Sequence, residues 1–326
     1  MVTRKYLSET VLNLYSSSAN VIQPTDIYHL SKDVDVRNAL EGCNIYLIVR
    51  RPRISIAIDS LRVENRGVRG HFLVHTGDGR ERFPFSSESE FSQEIVEAQV
   101  SDYPQEYVFL INRNNNFIKM PIFRFMAECE YDMNGYDNLE VLYIGQGYGK
   151  EGERLSIDRL QDHKTLQRIL ADTLHRKPDH EILLLLFRYE HHKLHSSTAG
   201  DFSVEPTATD EESINYVRES MSAKFSRKNR ISLSEAALIR YFEPEYNKIY
   251  KNTFPSEKHK ILSELLDVDF SGLVVEIDTG SIKTKLYSEK QSADQNLLSR
   301  LNPYAHIASI PLYSEEERET FLHAFL

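Results

Sequence analysis

Glu140-Val141-Leu142-Tyr143-Ile144-Gly145-Gln146-Gly147 runs from an apolar, β-branched stretch straight into a glycine-rich loop. The loop continues through Gly149 and Gly152, with Lys150 and Arg154 beside them. The first half predicts a strand. The second half is a place where backbone N–H groups can approach a phosphate. Glycine loops after strands are common in α/β chains, so this stretch alone establishes a strand and a turn.

Outward from it, residues 119–255 read as an ordered series. Residues 121–129 read as a first strand and 140–145 as a second. Leu155, Leu160, Leu166, Ile169, Leu170 and Leu174 follow a helical spacing, with a break near Lys164-Thr165. Residues 181–189 hold the run Ile-Leu-Leu-Leu-Leu-Phe and read as a buried strand. A polar loop over 196–210 leads to a short helix over 213–225, then to a helix over 233–242 that stops at Pro244. The order is β-β-α-β-α, an α/β unit. Residues 1–118 read as a β-rich N-terminal domain after a helix near 6–15, with a hairpin turn at Thr76-Gly77-Asp78-Gly79. Residues 256–326 read as a mixed α+β C-terminal extension, with helices over 257–266, 292–301 and 314–325 and strands over 273–277 and 283–287.

Three groups in the middle segment carry chemistry. Arg159 and His163 are four residues apart, which on a single helix would put them on one face. A guanidinium forks onto phosphate oxygens and an imidazole moves a proton; the same pair also suits a solvated helix surface. Glu235 opens the helix ending at Pro244, and Asn247 follows it. Ser232-x-x-Glu235 also fits a capping box, in which the carboxylate merely accepts a backbone N–H. Lys224, Arg227, Lys228 and Arg230 precede Glu235 and could track a nucleic-acid strand or simply face solvent.

The three groups, in this order, resemble the GIY-YIG nuclease superfamily, in its restriction-enzyme-like branch. Tyr143-Ile144-Gly145 matches the second signature triplet, Arg159 the helix arginine, His163 the histidine four residues later, Glu235 the single metal-binding glutamate, and Asn247 the asparagine beyond it. The first triplet has no match on the strand read at 121–129, where Phe123 and Phe125 lack a hydroxyl; Tyr107 and Tyr131 are the candidates to replace it. The resemblance implies a metal-dependent endonuclease. Glu235 would hold Mg²⁺ or Mn²⁺, and Arg159 a phosphate oxygen. Tyr143, helped by His163, would act on the attacking water. Lys150, Arg154, Lys224, Arg227, Lys228 and Arg230 would contact substrate, and Asn247 would fix the end of the glutamate helix or the DNA backbone. It implies DNA as the partner with RNA as the alternative, pairing of two copies or docking in a defence complex, and a role in restriction or antiviral defence. The competing expectation is a non-catalytic binding module on the same fold.

Composition sets the frame for these readings. Hydrophobic residues are 40% and charged residues 27%, ordinary for a soluble globular protein, and 18 Tyr with 16 Phe stand in for the absent Trp. The formal net charge of −10 argues against coating of nucleic acid by the whole surface, but not against a local basic groove, since salt screens distant charge within about 10 Å. One such patch lies in the sequence: Arg50, Arg51, Arg53, Arg62, Arg66, Arg69, Arg80 and Arg82 stand against Asp59, Glu64, Asp78 and Glu81, either as phosphate contacts or as a solvated sheet face. Cys43 and Cys129 make no disulfide framework, and the N-terminus shows no apolar run with a cleavage site, so a cytoplasmic protein is expected. His191, His192 and His195 lack partners at zinc-site spacing.

Overall fold

The computed structural model describes residues 5–17, 19–64, 67–87, 95–149, 155–197, 206–256, 258–294 and 301–312. At its centre is the strand Cys43–Pro52, buried along almost its whole length. It pairs antiparallel with Leu139–Gln146 on one edge and with His180–Arg188 on the other. Ala19–Ile22 and Leu286–Tyr287 complete a five-stranded sheet. Successive side chains of a strand point to opposite faces. Accordingly Ile45, Leu47 and Val49 enter one apolar cluster, while Tyr46 and Ile48 enter another. Burial on both faces explains why this strand reads as a continuous apolar run.

The first face is covered by the helix Arg227–Phe242. Behind it lies a second sheet in the order His191–Ser197, Glu9–Tyr15, Gly272–Asp278, Ala305–Pro311. Leu233, Leu238 and Phe242 of that helix are fully buried between the two sheets. At roughly 1.5–3 kcal/mol for each such side chain, packing outweighs the roughly 1 kcal/mol of an N-cap in setting where the helix lies. The second face is covered by the helices Ser156–Gln161 and Lys164–Arg176, through Ile157, Leu160, Leu166 and Ile169.

Between Pro52 and Leu139 the chain leaves the central sheet and builds an inserted β unit. Ile54–Ile56, Gly67–His75, Arg80–Ser87 and Glu130–Tyr131 form one sheet, with Arg62–Glu64 added to Gly67–His75. Ile95–Val100, Tyr107–Asn112 and Phe117–Pro121 form another. The turn at Thr76–Gly79 closes its hairpin as its residues predict, with Gly77 at φ +78°. Ile122, Phe125 and Met126 of the helix Ile122–Ala127 pack into this unit's own core.

Mixed α/β architecture is therefore present, but several elements differ from the sequence reading. Residues 121–129 hold a helix, not a strand: Pro121 starts it, and Ile122, Phe125 and Met126 follow helical spacing. The strand beside Leu139–Gln146 comes instead from residues 43–52. The central sheet thus crosses both boundaries read at 118/119 and 255/256. Residues 9–15 form a strand where a helix was expected, because they are buried between Gly272–Asp278 and His191–Ser197. Over 257–266 the described residues hold only the short turns Lys260–Leu262 and Ser263–Leu266. The helix expected over 314–325, and most of that over 292–301, lie outside the described residues. Among the described residues no helix is long and apolar enough to cross a membrane.

Candidate active site

The site forms where the strand of Tyr46 meets the strand of Tyr143. Tyr46 lies directly across from Gly145 in the antiparallel register. A bulge between Val141 and Tyr143 makes Leu142 an extra residue, which turns Tyr143 onto the same face as Tyr46. The two rings are 6.2 Å apart. Gly145 makes room for them: a β-carbon there would fall 2.6 Å from the Tyr46 hydroxyl and 2.8 Å from the Tyr143 ring. Gly147 has a separate reason, since its β-carbon would fall 2.6 Å from the Ser156 backbone. Asn44 fixes that turn by donating to the Gly147 carbonyl at 2.7 Å, while the Gly147 N–H donates to the Asn44 carbonyl at 2.8 Å.

Arg159 and His163 are close in space but do not share a helix. The first helix ends at Gln161, and His163 caps the next one. The Leu166 N–H donates to His163 Nδ1 at 3.1 Å. Nδ1 is therefore an acceptor, so the neutral ring carries its proton on Nε2 and donates to the Tyr46 hydroxyl at 3.0 Å. Burial, with the nearby Arg159 charge, pushes the His163 pKa down to about 4. The role of proton acceptor expected for His163 does not fit this geometry: both ring nitrogens are committed, and its visible job is to hold Tyr46. The short helix bearing Arg159 is anchored by Asp158, which accepts from the Leu155 N–H at 3.1 Å and pairs with Arg37 at 2.6 Å.

Glu235 reaches the site from the other layer. Its helix starts at Arg227, capped by Ser226, which accepts from the Asn229 N–H at 3.1 Å. Glu235 is thus in mid-helix, and the capping-box reading with Ser232 fails. The Gln146 side-chain amide donates to Glu235 Oε2 at 2.7 Å. Burial pushes the Glu235 pKa up to about 7, against the Gln146 hydrogen bonds and the Arg159 charge, which pull it down. Burial likewise raises both tyrosines, and the negative charge of Glu235 adds to this while Arg159 opposes it. Arg159 is therefore felt at Tyr46, Tyr143, His163 and Glu235 alike. Of these five residues Arg159 is the one that lines the open cleft beside them; Tyr46 and His163 are buried behind it.

The cleft itself has a volume of about 230 Å³ and is lined by Gln146, Gly147, Tyr148, Gly149, Arg159, Lys228 and Ser232. Lys228, Ser232 and Glu235 follow the spacing of one helix face. The other basic residues divide. Lys224 is exposed. Arg227 donates to Asn44 Oδ1 at 2.9 Å and lies 3.7 Å from Glu190. Arg230 donates to the Phe225 carbonyl at 3.0 Å and is half-buried, so it braces the chain there. Lys150 and Arg154 lie outside the described residues.

Asn247 is buried, and its side chain serves the neighbouring strand. Its side-chain amide donates to the Ile144 carbonyl at 2.8 Å and accepts from the Ile144 N–H at 2.9 Å. With the Tyr246 N–H donating to the Leu142 carbonyl at 3.1 Å, it covers the open edge of the Tyr143 strand as a further strand would.

Neither tyrosine expected to replace the missing one is here. Tyr107 and Tyr131 belong to the inserted unit. Tyr46, Asn44 and Gln146 were missed. Asn44-Ile45-Tyr46 shares the Ile-Tyr ending of the first signature triplet but has Asn in place of its Gly, and that partial signal was open to reading. Among the described residues no group of three or more His, Cys, Asp or Glu side chains gathers to cage a metal. Glu235 sits behind the cleft wall, braced by the Gln146 amide that lines it; one carboxylate with a neutral amide suits a hard cation that keeps most of its water. Comparison with protein-family models, with curated proteins and with solved structures finds no match for this chain.

Proposed function

We propose that the chain is a metal-dependent endonuclease of the GIY-YIG type, hydrolysing phosphodiester bonds in DNA. The observation that carries this is that Tyr46 lies across from Gly145 on adjacent antiparallel strands, its ring 6.2 Å from that of Tyr143, with Arg159 and Glu235 within electrostatic reach of both tyrosines. Hydrolysis needs a positioned water, positive charge on the phosphate oxygens and relief of charge on the leaving oxygen. Tyr46 accepts from His163, so its own proton points elsewhere. Tyr46 and Tyr143 then align the water whose oxygen bonds to phosphorus as the bond to the leaving oxygen breaks, the proton it sheds passing to solvent water and the leaving oxygen taking one up from solvent. Arg159 neutralises the phosphate, and Lys228 adds charge at the cleft wall. Mg²⁺ or Mn²⁺ on Glu235 would supply Lewis-acid charge beside the phosphate.

The alternative, a binding module that does not cut, drew its support from the absent first tyrosine; in the reading proposed here Tyr46 takes that place. A setting in restriction or antiviral defence, and pairing of two copies to cut both strands, follow from the family resemblance alone. Supercoiled-plasmid nicking with Mg²⁺, Mn²⁺ or EDTA tests the reading, with a structured RNA as the parallel substrate. Nicking that requires the cation and disappears in Glu235→Ala is expected. Nicking that persists in EDTA, or in Glu235→Ala, defeats it.

A further inference from the structure

We infer that the ring of Tyr148 stacks on an unpaired base next to the bound phosphate, so that the substrate of this cleft is a DNA strand already opened at that point. The inference rests on the nuclease reading for the phosphate at Arg159. Tyr148 lines the cleft together with Arg159, Gln146 and Lys228. It is half-buried and packs in part against the core. At about 230 Å³ the cleft falls short of the roughly 300–1,000 Å³ of a pocket that encloses a whole small molecule. It therefore takes a piece of a longer chain, a phosphate with one neighbouring group.

Two contacts fix where the ring stands. The residue before it is locked to Asn44, whose side-chain amide donates to the Gly147 carbonyl and whose own carbonyl accepts from the Gly147 N–H. The guanidinium of Arg227 lies over the ring, 5.9 Å from its centroid, within the range of a cation–π contact. Arg227 is itself tied to Asn44 Oδ1 at 2.9 Å and lies 3.7 Å from Glu190. One asparagine thus anchors both the backbone that carries the ring and the cation that covers it. A guanidinium committed in this way serves the ring, and the phosphate is left to Arg159 and Lys228. A held aromatic ring beside cationic groups is the combination that grips an open strand: charge for the backbone and a π face for the base.

The energetics decide between an open and a closed strand. A base inside a duplex is already paired and stacked. Stacking on one aromatic side chain returns about tenfold or more in affinity. That does not cover the cost of taking a base out of the duplex, a cost that is least where the base is mismatched or single-stranded. Tyr148 therefore selects DNA that is open beside the cut.

Fluorescence anisotropy in EDTA, where nothing is cut, tests this with three labelled duplexes of one length and equal phosphate charge. One is fully paired, one carries a central run of mismatches, and one carries abasic sites through the same run. The mismatched duplex is expected to bind about tenfold or more tighter than either of the others. Tyr148→Leu keeps apolar packing against the core but has no flat ring, and it should bring the three affinities to within about twofold. Tyr148→Met serves if the leucine variant melts early, and Tyr148→Phe should restore the preference. Equal affinity for all three duplexes, a preference that the abasic duplex shares, or one that survives in Tyr148→Leu overturns the inference. So does a loss in Tyr148→Phe equal to that in Tyr148→Leu, which would assign the hydroxyl in place of the ring. Plasmid nicking judges the nuclease reading separately. Nicking without any binding preference defeats the stacking role alone, and a preference without nicking supports stacking while defeating the cutting.

Discussion

Gly145 faces Tyr46 across the sheet so closely that a β-carbon on it would fall 2.6 Å from the Tyr46 hydroxyl. The glycine of the Tyr143-Ile144-Gly145 triplet is there for its neighbour's ring. Gly145→Ala must push the phenol aside or bend the strand. A loss of about 1–3 kcal/mol, as for overpacking in a tight core, is expected. Nicking should fall on the order of tenfold or more, because the two phenols no longer share one geometry. Thermal unfolding and initial nicking rates on the same preparation check both. An unchanged nicking rate would show that the Tyr46 ring position is unimportant.

Tyr46→Phe and Tyr143→Phe should each cut nicking by about 10² or more, as for removal of a positioned group at the reacting centre. Tyr107→Phe and Tyr131→Phe, in the inserted unit, should leave the rate within about twofold. Equal losses at all four positions would undo the assignment of Tyr46.

His163→Asn separates two jobs. Asparagine can still accept the Leu166 N–H as an N-cap, but it cannot reproduce the Nε2 donor to Tyr46. Stability should drop by only about 1 kcal/mol, with a larger loss in kcat than in KM. Burial depresses the histidine pKa to about 4, from an ordinary 6.5. Its contribution to stability is thus present above about 6.5 and is lost as pH falls toward 4. Wild type should therefore lose stability over that window more steeply than His163→Asn. The midpoint of the acid limb of nicking, which belongs to Glu235, should not move.

Glu235 has the opposite sign. Its pKa is raised to about 7, so the metal-free protein is relatively most stable below the ordinary 4.5 of a glutamate and loses that stability as pH rises through about 7. Glu235→Gln should flatten this fall and raise the Tm at pH 8 by a few degrees, on the scale of about 2–4 °C per kcal/mol. Mg²⁺ at pH 8 should stabilise wild type and leave the variant unmoved. Cleavage by wild type should rise with pH up to about 7, since a cation must displace the carboxyl proton. A variant whose Tm follows the wild-type pH curve would remove Glu235 from both roles.

Asn247→Ala should unfold more easily, by about 1–3 kcal/mol, because Ile144 loses both of its backbone partners on that edge. Corrected for the folded fraction, its nicking rate should stay close to wild type. A large fall in rate in fully folded protein would restore a direct chemical part to Asn247.

Much of the site was readable one element at a time. Tyr143-Ile144-Gly145 and the helix around Glu235 each sit in a continuous stretch, with strand or helix spacing and a stop signal. Arg159 and His163 were found, but not the helix break between them, where His163 serves as a cap. Tyr46 escaped because its strand is covered on both faces and reads only as a run of apolar residues, far along the chain from its partner. Residues 121–129 read as a strand because the short apolar run Ile122-Phe123-Arg124-Phe125-Met126 suits a strand as well as a helix. Its Ile122–Phe125–Met126 face has a meaning only against the core of the inserted unit. Residues 9–15 failed for a related reason: a fully buried strand and a buried helix look alike until their neighbours are known.

Residues 53–138 intervene between the strands bearing the two tyrosines. Lengthening a loop costs little at equilibrium, only about 0.6 kcal/mol per doubling, so the arrangement is cheap to keep. It is slow to assemble, since contacts between distant parts of a chain form late. During synthesis Tyr46 leaves the ribosome long before Tyr143, and Glu235 later still. A half-made chain therefore holds only part of the site, and Tyr46, Tyr143, Arg159 and Glu235 come together only once the whole molecule has closed.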